Sequence, residues 1–90
     1  MQHNNQFTLI QGKFTVEDAK SILFNFYNTK INFHNLQLIA IHEGKPGDAR
    51  EIEQKVSALK QVKQEISSLL SAPDFANELL EIEGHITIKR

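Results

Sequence analysis

The side chains here that could serve as acid, base, nucleophile or ligand are four histidines set among lysines, carboxylates and serines, and the 90 residues include no cysteine. That composition removes disulfide frameworks, thiolate zinc sites and a cysteine nucleophile together. His34 has the most suggestive company. Lys30 precedes it by four residues and Gln37 follows it by three, a spacing that a helix turns into neighbours along one flank. In a polar site between helices, His34 would be an acid–base group or a metal ligand. The competing explanation is preferred. Polar groups within or beside an apolar face need partners, and a few hydrogen bonds that set helix register supply them, with Lys30 reaching out to water.

The other candidates are weaker. His42 follows His34 by eight residues, two helical turns, too far to share one metal directly. His42 and Glu43 could meet Glu51 near a turn, but a metal site needs three or four convergent ligands, and no convincing third and fourth can be named. His3 and His85 fall in tail and strand positions without a partner. Neither a metal nor a cofactor is expected. Gly44-Lys45-Pro46-Gly47-Asp48 shares glycines and a lysine with phosphate-binding loops. Those loops require a longer glycine-rich stretch ending in Gly-Lys-Ser/Thr between a strand and a helix. Here Pro46 follows the lysine and a helix is expected before it, so the segment reads as a turn. Ser57, Ser67, Ser68 and Ser71 lie in no nucleophile context, and Ser67 and Ser68 are expected on a solvent face. Glu81 and Glu83 share one strand face, as surface carboxylates do. Lys55, Lys60 and Lys63 are spread around a helix and mixed with Glu51, Glu53 and Glu65, which describes a solvated face. No catalytic constellation emerges, and enzyme activity is not expected.

The elements that must position these groups follow from periodicity. Residues 1–6 read as a flexible polar tail. Phe7 to Phe14 reads as a strand, with Ile10, Gly12 and Phe14 alternating with Gln11 and Lys13. Thr15 looks like a helix N-cap, followed by Glu17 and Asp18, whose charge suits the positive end of the helix dipole. From Val16 to Glu43 there is no Gly and no Pro, and two readings compete. Either a helix ends near Thr29 and a strand covers residues 36–42, or one helix runs nearly to Gly44. At about 100° per residue, Glu17, Ser21, Asn25, Asn28, Asn32, Asn35 and Glu43 fall on one narrow stripe. Ala19, Ile22, Leu23, Phe26, Tyr27, Phe33, Ala40 and Ile41 fall on the broad opposite face. A stripe that stays in phase this long favours the single helix, with a kink near Asn28–Asn32 where poor helix formers gather. Phe24, Leu36 and Ile39 are the misfits near the polar side, and they are the candidate interface for a partner. If the helix breaks before Leu36, they become strand core instead.

Gly44 suits a C-cap, Pro46 blocks continuation, and Asp48 suits the next N-cap. A second helix then runs from about Ala49 to Ala72, with an apolar face of Ile52, Val56, Leu59, Val62, Ile66, Leu69 and Leu70. Glu51 and Lys55 form a favourable i, i+4 pair. Pro73 and Asp74 close it, with Asp74 placed to cap a short helical turn. From Leu80 to Lys89 strict alternation gives a final strand. The segments Ile10-Gln11-Gly12-Lys13-Phe14-Thr15-Val16 and Ile82-Glu83-Gly84-His85-Ile86-Thr87-Ile88 echo each other. Either each glycine allows a close approach, or each marks a tight hairpin.

The whole is expected to be one α+β domain over residues 1–90. Its core is an antiparallel helical hairpin, with the N- and C-terminal strands pairing at its open end in the order β-α-α-β. Two strands alone are marginal in water, and the apolar face of the first helix is wider than one neighbouring helix covers. Both point to a homodimer that extends the arrangement. A net charge of −1 gives no basic face for nucleic acid. No apolar run approaches the roughly 20 residues that span a bilayer and no signal pattern begins the chain, so a cytoplasmic chain without membrane contact is expected. The function these features favour is a small protein-interaction or assembly module. The alternative is a small ligand-binding protein or enzyme with a polar pocket around Lys30, His34 and Gln37.

Overall fold

Local chemistry sets the ends of both helices. In the computed structural model, which describes residues 4–90, the hydroxyl of Thr15 accepts from the backbone N–H of Asp18 at 3.1 Å. This ends strand β1 (Asn4–Thr15) and starts helix α1 (Val16–His42). Residues 36–42 are helical, so the long-helix reading holds, and α1 runs without interruption through Asn28–Asn32. At its far end the N–H of Gly44 donates to the Ile41 carbonyl and that of Lys45 to the Ala40 carbonyl, both at 3.0 Å. This pair of bonds is a Schellman closure, and Gly44 supplies its positive φ of 107°. Asp48 then accepts from the N–H of Glu51 at 3.3 Å and starts helix α2 (Ala49–Leu70).

A short 3-10 turn covers Pro73–Phe75 before strand β2 (Leu79–Lys89). Its N-cap is Ala72, with no side-chain bond, rather than the expected Asp74. The fixed φ of Pro73 starts the turn one residue earlier and places Asp74 inside it. Asn77, at φ 66°, redirects the chain into β2. Asn tolerates that region because its short polar side chain bonds locally.

The two strands form one antiparallel sheet, giving the expected β-α-α-β order. Asn4, Asn5 and Gln6, expected in the flexible tail, are paired opposite Lys89, Ile88 and Thr87. Their polar character is no obstacle at the tip of a ribbon, because the ladder satisfies their backbone groups while their side chains stay in water. The first three residues, His3 among them, lie outside the described residues.

The sequence echo has a cross-strand meaning. Ile10 faces Gly84, Gly12 faces Ile82, and Gln11 faces Glu83. Each isoleucine is therefore paired with the other strand's glycine, mid-strand and not at a hairpin. A Cβ on Gly84 would come within 3.1 Å of the Ile10 Cγ2. Ile10, Gly12, Phe14, Leu80, Ile82 and Gly84 are half-buried on the face toward α1, while Gln11, Lys13, Glu81 and Glu83 are exposed. A bulge at Leu9 interrupts the register between Thr8 and Ile10. The extra residue shifts the alternation so that Phe7 lands opposite Ile86, keeping the apolar face continuous.

The helices lie side by side, and the Cα envelope is a slab of 49 × 37 × 15 Å. Its core is thin. Ala19, Ile31, Val56 and Leu70 are buried, and among the described residues no large side chain is completely enclosed. The interhelical turn is accordingly a point where strain matters. Gly44→Ala forces a side chain into φ near 107° and should lose about 1–3 kcal/mol. Gly44→Asn should lose less. Chemical denaturation of the two variants checks this, and an unperturbed Gly44→Ala would refute it.

Candidate functional site

Helix α1 meets α2 along one of two apolar flanks. Ile31 is buried between them, and Phe24, Asn28 and Ile31 form a groove with Lys60, Lys63, Gln64 and Ser67. In this groove the Lys63 ammonium bonds the Asn28 side-chain oxygen at 2.6 Å and stands 5.5 Å from the centre of the Phe24 ring. Phe24 is thus half-buried against α2 by a cation–π contact. Ser67, expected on a solvent face, is half-buried in the same groove, because α2 turns its Lys60–Lys63–Ser67 edge toward α1. Ser68 is exposed.

The structure brings two of the three expected polar-site residues together. His34 is buried, and its Nδ1 lies 2.7 Å from Gln37 Oε1. The ring nitrogen donates and the amide oxygen accepts, one helical turn apart. The neighbouring Phe33 ring stands edge-on, 5.4 Å from the imidazole. Lys30 is exposed and lies instead on the shallow trough of Ile22, Asn25, Phe26, Thr29 and Phe33. His34 and Gln37 therefore satisfy each other while Lys30 faces solvent. No buried side-chain polar atom among the described residues lacks a partner.

The remaining candidates do not converge. Glu51 is engaged by Lys55 at 3.6 Å, the i, i+4 pair expected from spacing, and both side chains are largely exposed. His42 and Glu43 are exposed at the end of α1. His85 lies 3.5 Å from Glu83 on the outer face of the ribbon, a solvated contact worth little. Among the described residues no group of three or more His, Asp or Glu side chains could hold a metal, and no helix is long and apolar enough to cross a membrane.

The largest unexplained feature is the second flank of α1. Ile22, Phe26, Phe33 and Leu36 are exposed, Phe33 at 58% and Leu36 at 59%. Of the expected interface residues, Leu36 belongs to this flank. Ile39 is exposed farther round the helix, and Phe24 points at α2, so the three do not form one strip. Ile22 and Phe26 also join Leu9, Ile10, Leu23, Tyr27 and Ile82 around a cleft where the ribbon crosses the helix. Beyond this crossing the ribbon overhangs, leaving Phe7, Ile86 and Ile88 exposed on its apolar face. The heptad spacing from Ile22 to Leu36 is visible in the sequence. Which flank α2 would take is not, because both are apolar.

No protein-family model, curated protein or solved structure matches the chain. The His34–Gln37 bond makes a structural prediction. Gln37→Leu removes the acceptor for a buried ring nitrogen and should lose about 1–3 kcal/mol of stability. Lys30→Ala, on the surface, should stay within about 0.5 kcal/mol of the parent. Urea titrations compare them, and equal stability would show that the pair holds nothing.

Proposed function

We propose that the chain is a protein-interaction or assembly module whose working surface is the apolar flank of α1, continued onto the overhanging ribbon. One observation carries the reading: the fold exposes more surface than a self-sufficient monomer of its mass. A compact 10.3 kDa monomer exposes roughly 5,400 Å², whereas this chain exposes 7166 Å². Its radius of gyration is 16.5 Å, against about 12 Å for a compact domain of this length. The surplus of roughly 1,800 Å² includes the apolar side chains of Phe7, Phe26, Phe33 and Leu36. A cluster of exposed large apolar side chains of this kind marks an interaction site.

A pocket enzyme or ligand binder finds less support. His34 and Gln37 bond each other, and Lys30 stands apart from them on the trough beside Phe33.

Light scattering coupled to gel filtration over a concentration series, paired with binding of an anilinonaphthalene sulfonate dye, tests the reading. The chain should associate, or, where diluted to monomers, bind the dye at its uncovered apolar flank. A monomer at every concentration that takes up no dye would overturn the proposal, because its apolar surface would be folded away.

A further inference from the structure

The flank of α1 on which Ile22, Phe26, Thr29, Phe33 and Leu36 are exposed has its own order, with Ala19 buried at one end and Ala40 half-buried at the other. Ala19, Ile22, Phe26, Thr29, Phe33, Leu36 and Ala40 follow one another at alternating intervals of three and four residues. This is the spacing of a helix–helix seam. It is also palindromic in kind. Read from either end it runs Ala, branched aliphatic, Phe, Thr, Phe, branched aliphatic, Ala. A two-fold interface requires a self-complementary patch, in which residue i meets residue j and j meets i. Laid antiparallel to its own copy about Thr29, this stripe sets phenylalanine beside phenylalanine and branched aliphatic beside branched aliphatic.

We propose, resting on the interaction reading above, that this stripe is the seam at which the chain pairs with a second copy of itself, α1 antiparallel to the partner's α1 and Thr29 near the two-fold axis. Phe26 then lies beside the partner's Phe33, and Ile22 beside the partner's Leu36. The side chains needed are uncovered: Phe26 is 42% and Phe33 58% exposed. The trough bounded by Ile22, Phe26, Thr29 and Phe33 is a depression into which a facing side chain can insert. Lys30 flanks the seam, where its stem covers apolar surface and its ammonium reaches water. The surplus of roughly 1,800 Å², counted over the whole chain, helices and ribbon together, leaves room for an interface of the roughly 1,000–2,500 Å² per subunit that obligate homodimers bury.

The full chain tests this in three ways. Light scattering should give twice 10.3 kDa at micromolar concentration. Phe33→Asp puts a charge at the centre of the seam and should raise the dimer dissociation constant about 100-fold or more, with helical circular dichroism retained. Because the chain has no cysteine, Thr29→Cys introduces a single thiol near the axis. A short bis-maleimide linker should join this variant into a covalent dimer, and should not join Ser68→Cys, on the exposed side of α2. The thiol result holds even if Phe33→Asp fails to fold. A monomer that binds the dye would overturn self-pairing while leaving the interaction reading intact. A dimer in which Thr29→Cys does not cross-link would place the interface elsewhere and overturn the assignment of this seam.

Discussion

Helix α1 carries apolar side chains on two flanks and has one neighbouring helix. Everything else in the fold adapts to that imbalance. α2 takes the flank of Phe24 and Ile31. The ribbon takes part of the other around Ile22, Leu23, Phe26 and Tyr27, where it crosses the helix. A two-stranded ribbon is narrow, at about 5 Å between strands, and covers one stretch of a helix about 40 Å long. Phe33 and Leu36 lie beyond its reach.

The contact between ribbon and helix depends on the paired glycines. Ile10 packs over Gly84, opposite it in the register, and the Phe14 ring lies over Gly12, so the ribbon stays thin where bulkier residues would hold it away from α1. The bulge at Leu9 then keeps Phe7 and Ile86 on the same face past the crossing. The overhang is thus a continuation of the surface that meets α1. Maintaining apolar alternation through a bulge, in a stretch with no helix beneath it, is hard to explain for an isolated chain. It fits a sheet face that something covers.

The legible parts of this fold were those governed by neighbours in sequence. The Thr15 and Asp48 caps, the Gly44 closure and the Glu51–Lys55 pair are set within four residues, and the structure contains all of them. Residues 36–42 could be settled as helix because the asparagine stripe remained in phase. What could not be read depends on long-range contacts. Phe24 looked like a misfit because it sits near the polar stripe, yet Lys63, 39 residues on, places its ammonium over the ring. Ser67 looked solvent-facing for the same reason, since the choice of which edge of α2 meets α1 is made between helices. The cross-strand role of the glycines was visible as an echo but needed the strand register to explain it. The polar site divided by reach: His34 and Gln37 are one turn apart and bond each other, whereas Lys30, one turn before His34, extends its long side chain along the trough toward water.

The surface of the slab differs in kind from place to place. One part carries Asn28, Asn32 and Asn35, with Lys63 bonded to Asn28, and it is suited to water. Elsewhere the chain exposes the phenylalanine flank and, beyond the crossing, part of the inner face of the ribbon. Stable domains enclose their core between at least two layers of secondary structure. A slab 15 Å thick between Cα extremes, with one wet part and one apolar part, resembles half of such a domain. The few buried residues within the chain, Ala19, Ile31, Val56 and Leu70, order the hairpin but leave Phe7, Phe33 and Leu36 more than half exposed and short of neighbours. Dispersion and hydrophobic stabilisation both require those neighbours. On the interaction reading proposed above, the stability of this fold should depend on the concentration of whatever covers the flank.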